Sequence, residues 1–457
     1  MNENHFHFLP NYLRAVKQLL HLPFLLYSDK KGNIQVHPHL LMSGRTGRDA
    51  VAPSLDEFIE LPAGSELMML PGRKAVGFDK KTGEAKICEE GYAVAAFMAP
   101  AHTMFYMAAF EKEKNAETLP LYAYAAVGYF AGKYYVPAVR IDKDERQDPE
   151  GFDWKIIKQG VKKKMAVMPD NRLLKHLAEN CALTYCCPAA RNLFMDRYEC
   201  PIPSSPACNS NCIGCISFQP EEETIPSSQD RLTFKPTAEE IAQIAIPHLE
   251  NVPDAVVSFG QGCEGEPLLM WDVIRDAIKM IRKKTSKGIL NINTNASAPK
   301  AVEHLCKAGL QSIRVSMNSA QEWLYNAYYL PNNYKFEALA ESIRVVRRHN
   351  GWASINYFAM PGVTDSIAEY EALRKFIRET GLTMIQWRNF NIDPDWYFEK
   401  VKMPETGEAI GMKTLMKELK KEFPYLDYGY FNPPEKRIQI GLKKIAEMST
   451  EKSVIRN

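Results

Sequence analysis

The reactive side chains of this sequence concentrate in eight residues, Cys208-Asn209-Ser210-Asn211-Cys212-Ile213-Gly214-Cys215. Three thiolates spaced C-x3-C-x2-C on a short polar stretch can converge on one metal centre. Thiolates are soft ligands that suit iron–sulfur clusters or zinc. A cubane cluster offers four irons, so three cysteines leave one iron open to a further ligand, which makes a reaction centre rather than a plain electron carrier. Zinc needs a fourth protein ligand in a structural site, and Cys200, Cys186 or Cys187 lies near enough in sequence to supply it.

The rest of the cysteine pattern agrees with metal or redox chemistry. Of 10 cysteines, those from Cys181 to Cys215 form one cluster. Met1–Pro10 does not read as a secretory signal, so disulfides are not expected and the expected location is the cytoplasm. Cys181, Cys186, Cys187 and Cys200 are either core cysteines or ligands of a second cluster. Cys88 and Cys306 are isolated and read as structural. His37 and His39 fall in a stretch read as a loop, with no acids beside them in sequence.

The elements that must position the triad follow from periodicity. At 457 residues, two or three domains are expected. Residues 1–165 read as a β-rich domain, after a short amphipathic helix at Asn11–Leu20. Hairpin signals stand at Ser28–Asn33, Asp79–Gly83 and Ala131–Lys133. The uncharged run Tyr92–Phe110 is interrupted by Pro100, His102 and Thr103, and reads as two buried strands and a turn rather than a membrane span. Gln147–Gly151 reads as a polar linker. Residues 166–199 form a helical linker, with a helix at Asn171–Cys187 and a turn at Pro188. From Cys200 the rhythm becomes strand–helix alternation. Strands are expected at Ala255–Gly260, Ile289–Thr294, Ser312–Met317, Ala353–Ala359 and Met384–Phe390, with one more just before the triad. Helices are expected at Thr237–Leu249, Leu268–Lys284, Pro299–Ala308, Phe336–His349 and Ile367–Glu379. Glu240, three residues after Thr237, gives the first of them a capping box. The fold class is α/β: a partial (β/α)6 TIM-like barrel over 200–395, the N-terminal β-rich domain, and a C-terminal extension over 396–457. In such a barrel the loops after the strands make the chemical face.

Those loops carry further motifs. Gly265-Glu266-Pro267 opens a helix after the second strand, Asn293-Thr294-Asn295 ends the third, Ser316-Met317-Asn318 ends the fourth, and Pro361-Gly362-Val363-Thr364-Asp365 follows the fifth. Together with C-x3-C-x2-C, these resemble the radical S-adenosylmethionine superfamily, in an uncharacterised subgroup. The resemblance covers about Cys200 to Pro394. It implies a [4Fe-4S] cluster on Cys208, Cys212 and Cys215, whose fourth iron chelates S-adenosylmethionine (SAM). It implies reductive cleavage of SAM to a 5′-deoxyadenosyl radical, which abstracts hydrogen from a substrate the sequence does not name. Gly265 and Glu266 match the G-G-E-P element that binds the SAM amino group, and Asn295 matches the T-N-G element. Ser316 and Asn318 match the ribose-and-carboxylate strand. The family's aromatic residue before the third cysteine is Gly214 here, so Ile213 or Phe218 is the candidate adenine contact. An electron donor such as flavodoxin or ferredoxin is implied as a partner.

Cys263, in the Glu266 loop, is a candidate hydrogen donor or relay, and otherwise a small buried side chain. Arg388 is placed either to hold a substrate carboxylate or to pair with Asp393. The alternative to the radical reading is a zinc-stabilised binding or scaffold protein on a degenerate barrel. No cysteine follows Cys306 and no D-x-H-x-x-G motif is present, which argues against extra-cluster and cobalamin subclasses. Net charge is +2 with 25% charged residues, and basic runs are short. No nucleic-acid or membrane partner is therefore expected.

Overall fold

Short β-branched and aromatic runs bounded by turn residues become strands here, and the helical stretches between them become crossovers, because parallel neighbours cannot be joined by tight turns. The computed structural model describes residues 21–221, 225–405 and 407–454. The expected helix Asn11–Leu20 and the opening Met1–Pro10 lie outside the described residues, as do Glu222–Thr224 of the loop Pro220–Gln229.

Seven strands make the parallel sheet: Glu199–Ile202, Val256–Phe259, Ile289–Thr294, Ser312–Met317, Trp352–Ala359, Met384–Asn389 and Asp427–Gly429. They are hydrogen-bonded to one another in sequence order, every pair parallel. Six were expected. The seventh is three residues, Asp-Tyr-Gly, with no strand pattern of its own; pairing with Met384–Gln386 creates it. The helices Ala238–Asn251, Trp271–Lys284, Pro299–Ala308, Glu337–Arg348 and Ile367–Thr380 fall where expected. Thr237 caps the first through the reciprocal bond with Glu240.

Strand alternation separates two faces. One is apolar and packs on the helices, with Ile292, Val315, Ile355, Ile385 and Trp387 fully buried. The other is polar. Asn291 donates to Ser258 Oγ at 3.0 Å, Asn432 donates to the same oxygen at 2.8 Å, Arg314 donates to Gln386 Oε1 at 3.1 Å, and Arg388 donates to Asn356 Oδ1 at 2.7 Å. A parallel sheet covered on both faces is ordinarily apolar on both. This one keeps a hydrogen-bonded polar interior.

The N-terminal region is an antiparallel sheet of nine strands with a second antiparallel sheet of three, Gly44–Thr46, Asp49–Val51 and Met107–Ala108. Tyr92–Phe110 is core, not membrane: Ala95, Ala96, Ala101 and Met104 are fully buried. It holds the end of Ala85–Phe97 and the short strands His102–Met104 and Met107–Ala108, up to Phe110. No described helix is long and apolar enough to cross a membrane. A helix at Trp154–Val167, capped by Asp153, occupies the end of the stretch read as β. His37 lies in a strand, not a loop, and Glu90 stands 3.7 Å from its Nε2. The stretch Asn171–Cys187 is an α-helix over Arg172–His176 that widens to a π-helix over Leu177–Thr184. Pro188 starts a further helix, Pro188–Phe194, rather than a turn.

The β-rich region sits on the segment that follows the sixth parallel strand. Arg73 pairs with Asp393 at 2.5 Å with both side chains wholly buried, and Arg45 pairs with Asp395 at 2.5 Å. Asn389 receives the amide of Met104 at 2.8 Å and donates to His102 O at 3.0 Å. Asp393 is therefore taken by Arg73, and Arg388 turns instead to Asn356, Gln386 and the Tyr430 carbonyl, with its guanidinium 3.8 Å from the Tyr430 ring centroid.

Candidate active site

The cysteine loop has no regular structure of its own and is held from outside. Ile213 and Asn211 donate their backbone N–H groups to Tyr328 O and Tyr329 O, both at 3.1 Å, and Asn332 N donates to Asn209 O at 2.9 Å. Ser210 shares a 2.8 Å hydrogen bond with the Tyr334 hydroxyl. A helix at Glu322–Tyr329, unforeseen from the sequence, supplies the first two contacts. The tyrosine spacing at 325, 328 and 329 is the helical signal that marks it. Cys208 is exposed, while Cys212 and Cys215 are half-buried. Arg231 donates to Cys215 Sγ at 3.4 Å and stacks on Phe218 with 5.1 Å to the ring centroid. Among the described residues, the sets of donor atoms gathered within 4.8 Å are His176–Cys181–Cys263 and His37–Cys88–Glu90. The triad sulfurs are spread more widely than these.

Burial, with the two neighbouring sulfurs, drives Cys212 well above the ordinary thiol value. Three thiolates at this point require a cation to balance them.

Gly214 has a steric cause. A Cβ there would stand 2.5 Å from Ile392 Cδ1 and 3.0 Å from the Tyr328 hydroxyl. The space that an aromatic neighbour would need is already filled by these two side chains.

Glu266 is the centre of the next tier. Its carboxylate accepts from Leu268 N at 2.9 Å, from Asn295 N at 2.8 Å and from the Thr294 hydroxyl. It is buried, and burial raises it to about 7. Beside it Glu264, not singled out in the sequence, accepts from Ser204 N at 2.7 Å, Ser205 N at 2.9 Å and Gln261 N at 2.6 Å. Burial raises it to about 8. Asn295 uses its side chain to reach the triad loop, donating to Asn209 Oδ1 at 2.7 Å and Ser210 Oγ at 3.2 Å. Glu266, Asn295 and the triad loop are thus one connected set.

Gly265 makes that set possible. Its N–H donates to Ser205 O at 2.7 Å, Glu266 N donates to Ala207 O at 2.8 Å, and a Cβ at 265 would stand 2.0 Å from Ala207 O. Gly265→Ala is expected to push the Glu266 loop off the segment Ser205–Ala207 that leads into Cys208. The cost is about 1–3 kcal/mol of stability, read as a lower urea midpoint, with SAM affinity falling in the same variant. An unchanged midpoint and unchanged affinity would show that the backbone contact is not needed.

Asn318 is buried, donates to Leu324 O and the Tyr397 hydroxyl, both at 3.2 Å, and leaves its Oδ1 without a partner. A buried amide oxygen without a donor is costly, and this one directly follows the strand Ser312–Met317. Ser316 is half-buried on the same strand. Glu369, also absent from the sequence reading, organises the loop between them and the Glu322 helix by accepting from Ser319 Oγ at 2.5 Å, Ala320 N at 2.6 Å and Gln321 Nε2 at 2.8 Å.

Two cysteine readings narrow to the buried alternative for Cys263, Cys181 and Cys200, while Cys186 is exposed and Cys187 half-buried. Cys263 does not stand free in its loop: its sulfur lies 3.7 Å from Cys181 Sγ, both buried. Cys181, Cys186, Cys187 and Cys200 are not gathered around one point among the described residues, since Cys200 lies buried in its strand, Cys186 is exposed and Cys181 meets Cys263.

Successive ends of the parallel strands thus carry a three-cysteine loop, a buried carboxylate and a buried amide oxygen without a donor. Residues 202–376 match the Radical SAM superfamily, and this segment is a radical SAM domain. No curated protein sequence matches the chain. Among solved structures, SAM-bound SuiB from Streptococcus suis is 14% identical over 50% of this chain and 49% of its own, TM-score 0.34. A radical SAM methyltransferase from Sphaerobacter thermophilus is 16% identical over 45% of this chain and 63% of its own, TM-score 0.33. The FeFe-hydrogenase maturase HydG from Carboxydothermus hydrogenoformans is 12% identical over 63% of this chain and 70% of its own, TM-score 0.35. The match spans about half the length of SuiB, 49%.

Proposed function

We propose that the protein is a radical SAM enzyme in which Cys208, Cys212 and Cys215 hold a [4Fe-4S] cluster, and Gly265, Glu266, Asn295, Ser316 and Asn318 hold SAM. The observation that carries this is the hydrogen-bonded continuity from the triad loop through Asn295 to Glu266, at the ends of adjacent parallel strands. The wide spacing of the three sulfurs suits a cluster better than one zinc ion, whose thiolates crowd at ~3.8 Å around a metal ~2.3 Å from each. A zinc-stabilised scaffold would also leave the Asn318 Oδ1 and the carboxylate tier without a purpose. Bound and reduced on Cys208, Cys212 and Cys215, such a cluster would supply the one electron that reductive cleavage of SAM needs before hydrogen is taken from a substrate.

The chain's own residues have separate tasks. The Glu266 carboxylate, held by Thr294 and Asn295, faces the ligand's amino group. Asn318 Oδ1 accepts from a ribose hydroxyl, and Ser316 lines the same strand end. The parallel sheet rounds into a partial (β/α)6 barrel, extended by the seventh strand, whose interior excludes water and limits side reactions. Within it Arg314 and Arg388 donate to neutral amides and a carbonyl and make no ion pair among the described residues. Their charge suits an anionic group on the substrate. Exposed Cys208 marks the side from which a flavodoxin- or ferredoxin-type donor would reduce the centre.

The direct test is anaerobic reconstitution with iron and sulfide, reduction with dithionite, and assay of SAM cleavage. Formation of 5′-deoxyadenosine and methionine in equal amounts is the expected result; a reconstituted, reduced protein that leaves SAM intact contradicts it.

Glu266 adds a pH signature. Its carboxyl is raised to about 7 by burial, so in the free protein the neutral form persists up to that pH, and the stability tied to it is lost as pH rises through about 7. A cationic ligand group favours the ionised form. SAM is therefore expected to bind more tightly as pH rises from about 6 to about 8, with proton release. Glu266→Gln should weaken binding by about 10–100-fold, the worth of a charge-assisted hydrogen bond. It should also flatten the profile, which separates Glu266 from the ligand's own ionisation. Calorimetry in buffers of differing ionisation enthalpy reads both; a Gln variant with the wild-type profile would remove Glu266 from the amino-group contact.

A further inference from the structure

We propose that His176, Cys181 and Cys263 form a second metal site, for a single ion of the zinc class, which pins the Glu264–Glu266 loop to the helical segment preceding the parallel sheet. One donor atom from each of the three residues lies within 4.8 Å of the other two. The Cys181 and Cys263 sulfurs are 3.7 Å apart, and two thiolates on one tetrahedral zinc, each ~2.3 Å from it, stand ~3.8 Å apart. The donor set is one imidazole and two thiolates, which selects zinc over hard cations. Three protein donors with a fourth corner open is the coordination of zinc sites that keep an exchangeable ligand, unlike the closed four-ligand structural sites.

The backbone is built to bring these donors together. His176 and Cys181 are five residues apart, and in an α-helix such residues point ~140° away from each other. Here the helix widens to a π-turn over Leu177–Thr184, with Tyr185 N donating to Asn180 O at 2.9 Å. The i→i+5 pattern returns residues five apart to the same side, and π-turns cluster at functional sites. The His176 ring packs edge-on to Phe234, 6.4 Å between centroids, and its Nε2 is buried with no hydrogen-bond partner. A ring nitrogen shielded from solvent beside two buried sulfurs, with thiol hydrogens as the only donors near it among the described residues, gives a metal ion a ready set of ligands.

The third donor gives the site its consequence. Cys263 is followed directly by Glu264, whose carboxylate gathers Ser204, Ser205 and Gln261, and Glu266 lies two residues further on. An ion on Cys263 therefore fixes the loop that carries the candidate SAM carboxylate. The site itself does not rest on the radical reading.

The test uses the full chain with Cys208, Cys212 and Cys215 all replaced by alanine, so that no cluster contributes metal. Elemental analysis after dialysis against a chelator is expected to find about one zinc per chain, and cobalt(II) in its place is expected to show thiolate-to-cobalt charge-transfer absorption. Adding Cys181→Ala or Cys263→Ala should remove both signals. The proposal is overturned if the triple variant holds neither zinc nor cobalt, if zinc retention is indifferent to both added substitutions, or if anaerobically purified protein carries a Cys181–Cys263 disulfide. Where an added substitution prevents folding, the cobalt spectrum of the triple variant, with all three donors in place, decides. Zinc retained there alongside a wild type that leaves SAM intact would uphold this site and dismiss the radical reading.

Discussion

Cys212→Ala is expected to abolish 5′-deoxyadenosine formation and to lower reconstituted iron from about four per chain, the content of one cubane, to background. Cys212 is the middle sulfur of the triad, half-buried beneath the Glu322–Tyr329 helix, and its neighbours Asn211 and Ile213 are tied to that helix through Tyr329 O and Tyr328 O. Alanine keeps those backbone bonds, so the fold should survive while the ligand is lost. Cys186→Ala is the control: Cys186 is exposed and outside the triad, and its loss should leave iron and product unchanged. Iron and product that persist in Cys212→Ala, with the control also normal, would mean the cluster is held elsewhere.

Arg73→Ala is expected to cost about 3–5 kcal/mol, because it strands a buried carboxylate. The Arg73 guanidinium is wholly buried; it meets Asp393 at 2.5 Å and donates to Pro71 O and Glu117 O, both at 2.8 Å. Asp393 does more than pair. It accepts from Leu119 N at 3.1 Å and caps the helix Pro394–Lys400 through Asp395 N at 3.0 Å. Removing the arginine therefore loosens both the seat of the β-rich region and the segment that follows the sixth parallel strand. Urea unfolding should show a lower midpoint, and Arg73→Met with Asp393→Asn should recover part of the loss, since no buried charge then stands alone. A double variant as unstable as the sum of the two single changes would show that the pair is not coupled.

Much of the sheet was legible because its signals are local. Ile289–Thr294 and Ser312–Met317 are found at the expected boundaries, since each combines apolar alternation with a polar strand end. The triad and Glu266 were legible as spacing on loops that follow strands. What escaped is what the fold assembles across long separations. Arg73 and Asp393 are 320 residues apart and Cys181 and Cys263 are 82 apart, and no local pattern announces either pair. Gly214 looked like a departure from a family pattern, and its reason, Ile392 and Tyr328 filling the space, exists only in the folded chain. The π-turn escaped because Leu177–Thr184 has the composition of an ordinary helix, and only the wider hydrogen bonding reveals it.

The decisive measurement is the electron paramagnetic resonance spectrum of the reconstituted, reduced wild-type protein, before and after SAM is added. A [4Fe-4S]+ signal whose g-values shift on addition is predicted, because the ligand would coordinate the iron that Cys208, Cys212 and Cys215 leave open. A spectrum indifferent to SAM, or a colourless protein with zinc on those three sulfurs, would contradict it.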